Sequence, residues 1–250
     1  MKKKPYISII ITYFNKRRFI KKTLNSIFFQ TYKNYELIFV YDDSNYEDLK
    51  YIKPYLKAFK NTKIIINKKN LGVARSRNKA LAKCKGNYIA FIDSDDTWKK
   101  TKLMKQLKFM KKKSSNFSFT SYNVIDEQNK FIKKRIVTID PTYEKLQKRN
   151  IIGLSTVMIN RNIIKDINFP ILKTQEDFAL WLNLIKKGHK LSHINNTLSS
   201  WRKTNDSLSS NNLQKIIDAF KLYYLYQKKN LILSVYSVLV LGYNLSLIHI

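Results

Sequence analysis

The sequence is short of several residue types, and each shortage excludes a class of protein. Its 250 residues contain one cysteine, Cys84, so the chain cannot form an internal disulfide, and Cys84 has no soft ligand near it for a structural zinc site. Five glycines and four prolines leave no low-complexity block. Gly-x-Ser-x-Gly, Walker and Gly-x-Gly-x-x-Gly motifs are missing, which argues against a hydrolase triad, a P-loop NTPase and a dinucleotide dehydrogenase.

Acidic residues are also scarce, with 17 Asp and Glu against 48 Lys and Arg and a formal charge of +31. Such a charge attracts anions, including nucleotide phosphates and acidic lipid head groups. The excess is nearly all lysine spread along the chain, with only eight arginines. Arginine is the residue enriched where phosphates and bases are gripped bidentately. We therefore expect no nucleic-acid partner.

Only the C-terminus carries a long apolar run. The start, "MKKKPYISIIITYFNKRR", has too short an apolar stretch and no cleavage site for a signal peptide, so we expect a cytoplasmic protein. Residues 231–250 run twenty positions without Asp, Glu, Lys or Arg, which is long enough to span a bilayer. Serines, Asn244 and His249 make the run only moderately hydrophobic, and a buried or interfacial helix fits equally well. Lys228 and Lys229 before it agree with a cytoplasmic catalytic domain.

Apolar runs and helical patterns alternate in the first hundred residues. Strands are predicted at 6–12, 35–41, 62–67 and 87–92, separated by helices at about 16–31, 46–59 and 73–84. Continuous apolar strands separated by helices indicate an α/β protein with a Rossmann-like, mostly parallel sheet covered by helices on both faces. Ligands of such sheets bind at the carboxyl ends of the strands, where Thr12, Asp42, Asn70 and Asp93 lie.

The alternation weakens after residue 98. We expect a basic helix at about 99–112, strands at 117–125, 130–139 and 154–159, a helix at 176–188, and a pair of strands near 190–203. Residues 1–210 then form one domain, with a nucleotide-binding half (about 1–98) and an acceptor half (about 99–210). Residues 211–250 form a helical tail that we expect to contact an anionic membrane.

"FIDSDDTW" (91–98) places three of the scarce acids within four positions. Asp93 and Asp95 leave a strand end at alternate positions, which suits a hard cation such as Mg²⁺ or Mn²⁺. The alternative is a solvated turn in which Asp93 and Ser94 cap the next helix. Their position opposite a second acidic pair, Asp42 and Asp43, favours the metal, which would also supply the missing counter-charge.

The other candidates each have an alternative interpretation. Asp42 either accepts hydrogen bonds from a nucleobase or ribose, or belongs to a turn in "YDDSN". Arg75 and Arg77 lie in the first turns of a helix, where cations are unfavourable unless an anion such as a diphosphate binds, or else they face solvent. Asp177 is a candidate general base, although a carboxylate at a helix N-terminus also serves as a cap.

Four segments together resemble the inverting family 2 glycosyltransferases of the GT-A fold. They are "ISIIITYFNKRRFIKKTLNSIFFQTYKNYELIFVYDDS", "NLGVARSRNKAL", "GNYIAFIDSDDTW" and "QEDFALWLNLIKKG", followed by a similar "SSWRKTNDSLSS". The resemblance covers about residues 6–210. It departs at Ser44, where the family commonly has a glycine after the acidic pair.

The resemblance implies a nucleotide-sugar donor, most often a UDP-sugar, and a role for each matched residue. Thr12, Asp42, Asn70 and Arg77 match positions that hold the base and ribose or lie beside the phosphates. Asp93 matches the ribose-side carboxylate, Asp95 the ligand of Mn²⁺ or Mg²⁺, and Asp177 the catalytic base. Arg202 matches a place that often contacts the diphosphate.

We expect a glycan or lipid-linked acceptor, such as a lipopolysaccharide, capsule or lipid-linked oligosaccharide under assembly, at the inner face of the cytoplasmic membrane. Two alternatives stay open. One is a nucleotidyltransferase, which also pairs carboxylates with metal over a nucleotide. The other is a non-catalytic basic module that binds nucleic acid or membrane on the same fold.

Overall fold

The computed structural model describes residues 6–138, 140–204 and 211–246. Four parts of the sequence interpretation fall outside these ranges. They are the first five residues, the end of the predicted strand 130–139, most of the second half of "SSWRKTNDSLSS", and the last residues of the apolar run.

The first half consists of four parallel strands joined by three helices, as predicted. The strands are β1 (Ile7–Tyr13), β2 (Tyr35–Tyr41), β3 (Thr62–Ile66) and β4 (Tyr88–Asp93). The helices are α1 (Arg17–Phe28), α2 (Tyr46–Lys57) and α3 (Val73–Leu81). The strands lie side by side in the order β3-β2-β1-β4.

The central strands of this half are apolar on both faces because both faces are covered. Alternate side chains of a strand point to opposite sides. Ile10, Ile38 and Phe91 accordingly join one apolar core, whereas Ile9 and Ile11 join the other. This arrangement confirms the α/β class and aligns the carboxyl ends of the strands along one edge.

The second half extends the same sheet with strands of mixed direction, in which β6 and β9 pair parallel and the other pairs are antiparallel. Its elements are β5 (Thr97–Trp98), α4 (Lys102–Lys112), β6 (Phe117–Ile125), β7 (Phe131–Arg135), α5 (Tyr143–Leu146), β8 (Met158–Asn160), α6 (Glu176–Lys186) and β9 (Ser192–Arg202). β8 pairs antiparallel with β4 and continues the sheet to β6, β9 and β5. Across the described ranges the result is a single mixed sheet flanked by helices.

Two strand predictions in this half were wrong. The predicted pair near 190–203 is the single strand β9, whose pairing with β6 shifts register near the exposed Asn195 and Asn196. The shift in register accommodates Asn195 and Asn196 within one strand, so the chain makes no turn there. The predicted strand 154–159 begins instead with a 3₁₀ turn, Leu154–Thr156, before β8.

The C-terminal segment folds onto the domain. It comprises α7 (Asn212–Lys221), a π-helical turn (Leu222–Tyr226) and α8 (Leu231–Ser246). α8 packs on α7 and on the π turn. Among the helices of the described ranges, none has both the length and the apolar character needed to cross a membrane.

Candidate active site

The carboxyl ends of the parallel strands open into a cavity of about 900 Å³. In register, Thr12 at the end of β1 lies between Val40 of β2 and Asp93 of β4, which brings three strand ends together. Every site residue predicted from the sequence lines this cavity: Thr12, Asp42, Asn70, Arg77, Asp93, Asp95, Asp177 and Arg202. Their convergence is observed, whereas their individual roles stay predictions.

Asp42 is a buried carboxylate that organises the turn after β3. One of its oxygens accepts hydrogen bonds from the side-chain amide of Asn67 and from the backbone N–H of Leu71, both at 2.8 Å. Asn70 donates its side-chain N–H to the backbone carbonyl of Asp42 at 3.0 Å. The two predicted nucleoside contacts are therefore joined to each other in one wall of the cavity.

The neighbouring Asp43 supports the loop rather than the cavity. Its carboxylate accepts the backbone N–H groups of Asn15 at 2.7 Å and Asn45 at 3.0 Å. Ser44 is absent from the residues with positive φ in the described part of the chain. The glycine common at this place is thus not needed for the turn seen here.

Each acid of "FIDSDDTW" has its own partner from the protein. Asp93 pairs with Arg77 at 2.7 Å, and Asp95 pairs with Lys16 at 3.2 Å. Asp96 is fully buried and accepts from the Ser155 hydroxyl at 2.6 Å and the Arg202 backbone N–H at 2.9 Å. The positive charge that balances Asp93 and Asp95 in this structure therefore comes from Arg77 and Lys16. The sequence around the cluster does not reveal these partners.

Burial and the neighbouring carboxylates both raise the pKa values of Asp95 and Asp96. Burial raises the pKa of Asp95, and the charge of Asp93 adds to that rise, while Lys16 opposes it. Burial and the charges of Asp95 and Asp93 raise the pKa of Asp96 well above its ordinary value. A cation arriving at the cavity would relieve this repulsion.

The donor set at this end of the cavity fits a divalent ion that binds together with a substrate. In the described ranges no group of three His, Cys, Asp or Glu residues could hold a metal by itself. Asp93 and Asp95 nevertheless both line the cavity. Mg²⁺ and Mn²⁺ are commonly held by one or two carboxylates and completed by phosphate oxygens, so these residues suit such an ion.

Arg202 stabilises the loop that carries Asp95 and Asp96. Its guanidinium donates to the backbone carbonyls of Asp95 and Asp126, each at 2.8 Å, and to the side chain of Asn129 at 2.9 Å. Burial lowers the pKa of Arg202, although Asp96 and Asp95 partly offset that effect. Its predicted contact with a diphosphate stays a prediction, since these bonds already engage much of the guanidinium.

Asp177 lies in the first turn of α6, lines the cavity and is half-buried. Burial, with the adjacent Glu176 carboxylate second, raises the pKa of Asp177 to about 7 despite the nearby charge of Arg77. Its oxygen accepts the backbone N–H of Phe178 at 2.6 Å, so the helix terminus also orients it. A carboxylate that titrates near neutrality is well matched to removing a proton from a hydroxyl.

The residue before this pair has an unusual backbone. Gln175 has φ of 60°, the left-handed region that non-glycine residues rarely occupy. Within the described ranges, its side-chain oxygen is buried without a hydrogen-bond partner, and the residue lines the cavity. Strained backbone and unpaired polar atoms concentrate at functional sites.

α7 completes the cavity and holds the loop before α6. Its Gln214, Ile217 and Lys221 line the cavity. The buried carboxylate of Asp218 accepts both the backbone N–H of Thr174 at 2.8 Å and its hydroxyl at 3.0 Å. The cavity is therefore not confined to residues 1–210.

Sequence reasoning missed three contributors to the site: Lys16, Ser155 and Asp218. A lysine among 48 basic residues carries no signal of its own, and Ser155 lies in the turn interpreted as a strand. Asp218 could have been found, because it is the single acid of residues 211–250 and lies on the inner side of an amphipathic helix.

Comparisons with known proteins agree with this geometry. The family model "Glycosyl transferase family 2" matches residues 8–167. The chain is 39% identical over 209 residues to the putative teichuronic acid biosynthesis glycosyltransferase TuaG of Bacillus subtilis, covering 83% of each chain. It is 37% identical to the UDP-Glc:alpha-D-GlcNAc-diphosphoundecaprenol beta-1,3-glucosyltransferase WfaP of Escherichia coli, covering 84% of this chain and 82% of that one.

Among solved structures, the chain resembles S. aureus TarS in complex with UDP-GlcNAc, with a TM-score of 0.72 and 21% sequence identity. The match covers 88% of this chain and spans 65% of the TarS chain. At this identity the likeness concerns the fold, which is the GT-A arrangement of a mixed sheet flanked by helices.

Proposed function

Because the chain belongs to glycosyltransferase family 2, we propose that it transfers a sugar from a UDP-sugar to a hydroxyl of a lipid-linked, growing cell-surface glycan, with inversion. One observation carries this proposal. Two carboxylates at the end of β4 and one carboxylate with a pKa of about 7 at the start of α6 line the same cavity. That pairing suits a reaction that needs a diphosphate held on one side and a proton removed on the other.

We assign the donor to the side of the cavity formed by the parallel strands. Thr12, Asp42 and Asn70 take the base and ribose, and Asp93 takes the ribose from the other side. The paired Asp42 and Asn70 form a preorganised wall, since their mutual hydrogen bond is already in place. Arg77, fixed between Asp93 and Glu176, supplies positive charge close to the phosphates.

We assign Asp95 as the protein ligand of a Mg²⁺ or Mn²⁺ ion. When bound, such an ion neutralises charge that develops on the leaving diphosphate. The ammonium of Lys16 pairs with Asp95 and holds it in its observed position. It therefore lies close enough to help neutralise the charge on the diphosphate.

Asp177 acts as the general base. The acceptor hydroxyl attacks the anomeric carbon while its proton passes to the Asp177 carboxylate. The bond from that carbon to the diphosphate oxygen breaks, and UDP leaves with the electron pair. Attack from the face opposite the leaving group inverts the anomeric configuration.

The acceptor is proposed from the name of a relative and from the charge of this chain. WfaP acts, by its name, on a sugar carried by diphosphoundecaprenol. The formal charge of +31 of the present chain favours an acceptor with a diphosphate and a site at the inner face of the cytoplasmic membrane.

Two measurements test the proposal. Calorimetric titration with UDP, with and without Mn²⁺, should give binding that Mn²⁺ strengthens. A panel of UDP-sugars with a sugar-diphosphate-lipid acceptor should then yield one product, heavier by one sugar and with inverted anomeric configuration. Transfer from another nucleotide-sugar but from none of the UDP-sugars would exclude the UDP donor, and a retained configuration would exclude the role of Asp177.

A further inference from the structure

α8 exposes most of its apolar side chains, while Leu241 and two serines are buried. Ile232, Tyr236 and Leu239 recur at helical spacing and are 80%, 61% and 66% exposed. Ser234 and Ser237 are buried, and their hydroxyls donate to the helix backbone at Asn230 and Leu233. A helix that packs on a globular core usually exposes polar side chains instead, so the outer surface of α8 is unusually apolar.

The outward apolar surface continues on α7. Ile216 and Ile217 lie three and four residues after Leu213, Tyr224 of the π turn lies seven residues after Ile217, and all four are exposed. We call these four residues, together with the three of α8 named above, the docking face: Leu213, Ile216, Ile217, Tyr224, Ile232, Tyr236 and Leu239. These side chains lie on neighbouring elements, because α8 packs on α7 and on the π turn. Large exposed apolar patches mark interaction sites.

The charge around the docking face has one sign. Residues 211–250 contain a single acid, Asp218, and four lysines, of which Lys221 and Lys228 are exposed, Lys215 is half-buried, and Lys229 donates inward to Gln147 and Ser237. Asp218 is buried and bonded to Thr174, so it does not neutralise the surface. The partner of the docking face must therefore accept both apolar side chains and positive charge.

Charge decides between the candidate partners. A second copy would bring the same lysines and a further +31 of formal charge, which opposes self-association. A bilayer with anionic head groups offers apolar depth and opposite charge, as interfacial helices require. We propose that α7 and α8 lie in the interface of an anionic lipid bilayer through the docking face.

This placement orients the cavity. Ile217 belongs to the docking face and also lines the cavity, and Ile171 beside it is exposed and lines the cavity too. The cavity mouth thus opens at the level of the lipid head groups, where a sugar on a lipid diphosphate is presented. This last step rests on the proposed function, whereas the bilayer contact does not.

The experiment measures vesicle binding without donor or acceptor, so it is independent of the proposed activity. Wild type is centrifuged with vesicles of phosphatidylcholine alone or with about a third phosphatidylglycerol. The double variant Ile232→Gln/Leu239→Gln should lose binding to the anionic vesicles by about tenfold or more, because two large apolar side chains no longer enter the interface.

The matched control is Phe29→Gln/Ile163→Gln, which also replaces two exposed apolar residues with glutamine. Phe29 follows the end of α1, and Ile163 follows β8, whose Asn160 pairs with Tyr88 at the start of β4, so both lie at the opposite edge of the sheet. The control should bind within about twofold of wild type. Circular dichroism and UDP titration establish that both variants are folded.

Three results would overturn the proposal. The two double variants could bind vesicles equally well. Binding could depend on salt alone and be unaffected by either variant, which would indicate a purely electrostatic contact. Wild type could instead form a dimer that Ile232→Gln/Leu239→Gln dissociates, which would make a second copy the partner.

Discussion

A guanidinium nitrogen of Arg77 lies 2.7 Å from a carboxylate oxygen of Asp93, and the same side chain also pairs with Glu176. Arg77 thereby connects α3 with the end of β4 and the start of α6. The donor side and the proposed base side of the cavity are thus held at a fixed separation by one buried cation. Such bidentate bridging is a property of arginine that lysine cannot reproduce.

Replacing Arg77 by methionine should destabilise the fold as well as the site. Removing one partner of a buried ion pair leaves an uncompensated charge and costs about 3–5 kcal/mol of unfolding free energy. Glu176 would be left in that state, being 10% exposed at its side chain. Urea unfolding measures the loss, and Arg75→Met on the exposed side of α3 is the control. Equal midpoints for the two variants would show that the bridge contributes nothing.

Asp177→Asn should reduce turnover by about 10²–10⁴-fold, since an amide cannot accept the proton of the acceptor hydroxyl. UDP affinity should stay within a few-fold of wild type, because Asp177 is assigned to the acceptor hydroxyl and not to the nucleotide. Turnover is measured with donor and acceptor both saturating. If the asparagine variant kept wild-type turnover, the base would have to be another group.

The pH dependence follows from the direction of the Asp177 shift. The pKa of Asp177 is raised to about 7, and the base works only when it is deprotonated. We therefore expect kcat/KM to rise with pH and to reach half of its maximum near pH 7. Folding stability should show the opposite sign. A carboxyl with a raised folded-state pKa holds its proton better when folded, so its favourable contribution is complete below about pH 4 and is lost as pH rises through 7. Asp177→Asn should therefore gain stability over wild type across that interval, measured by urea unfolding at each pH.

Sequence alone predicted the first half of the fold and eight residues that line one cavity, but not every side chain that supports them. β1, β2 and β4 are continuous apolar runs buried on both faces, and the polar residues after them share one edge for topological reasons. The side chains that pair with these carboxylates could not be predicted from the sequence. Lys16 meets Asp95, and Thr174 meets Asp218, through folding of distant segments, which local periodicity does not encode.

β9 shows a second limit. The sequence predicts a pair of strands near 190–203, but the structure has one strand that accommodates Asn195 and Asn196 by a shift in pairing. A bulge and a turn use the same residue types, so composition does not separate them.

Asp95→Ala should remove the dependence of UDP binding on divalent ions. Wild-type affinity for UDP should increase when Mn²⁺ is added, whereas the alanine variant should bind UDP equally with and without the ion. The control is Asp166→Ala, which removes a carboxylate of an exposed pair with Lys187. Mn²⁺ stimulation that survives in Asp95→Ala would transfer the ligand role to Asp93 or to the phosphates alone.

Asp218 should act as a positioning residue for the loop that precedes the base. Its carboxylate accepts two hydrogen bonds from Thr174, three residues before Asp177. Asp218→Ala leaves both donors unpaired and should lower kcat by about tenfold or more while changing the UDP dissociation constant little. Asp218→Asn keeps one acceptor oxygen and should recover much of that loss. Thr174→Val removes one of the two bonds, so its effect should shrink when combined with Asp218→Ala. A uniform fall in stability and UDP affinity, with kcat unchanged in the folded fraction, would reduce Asp218 to a merely structural role.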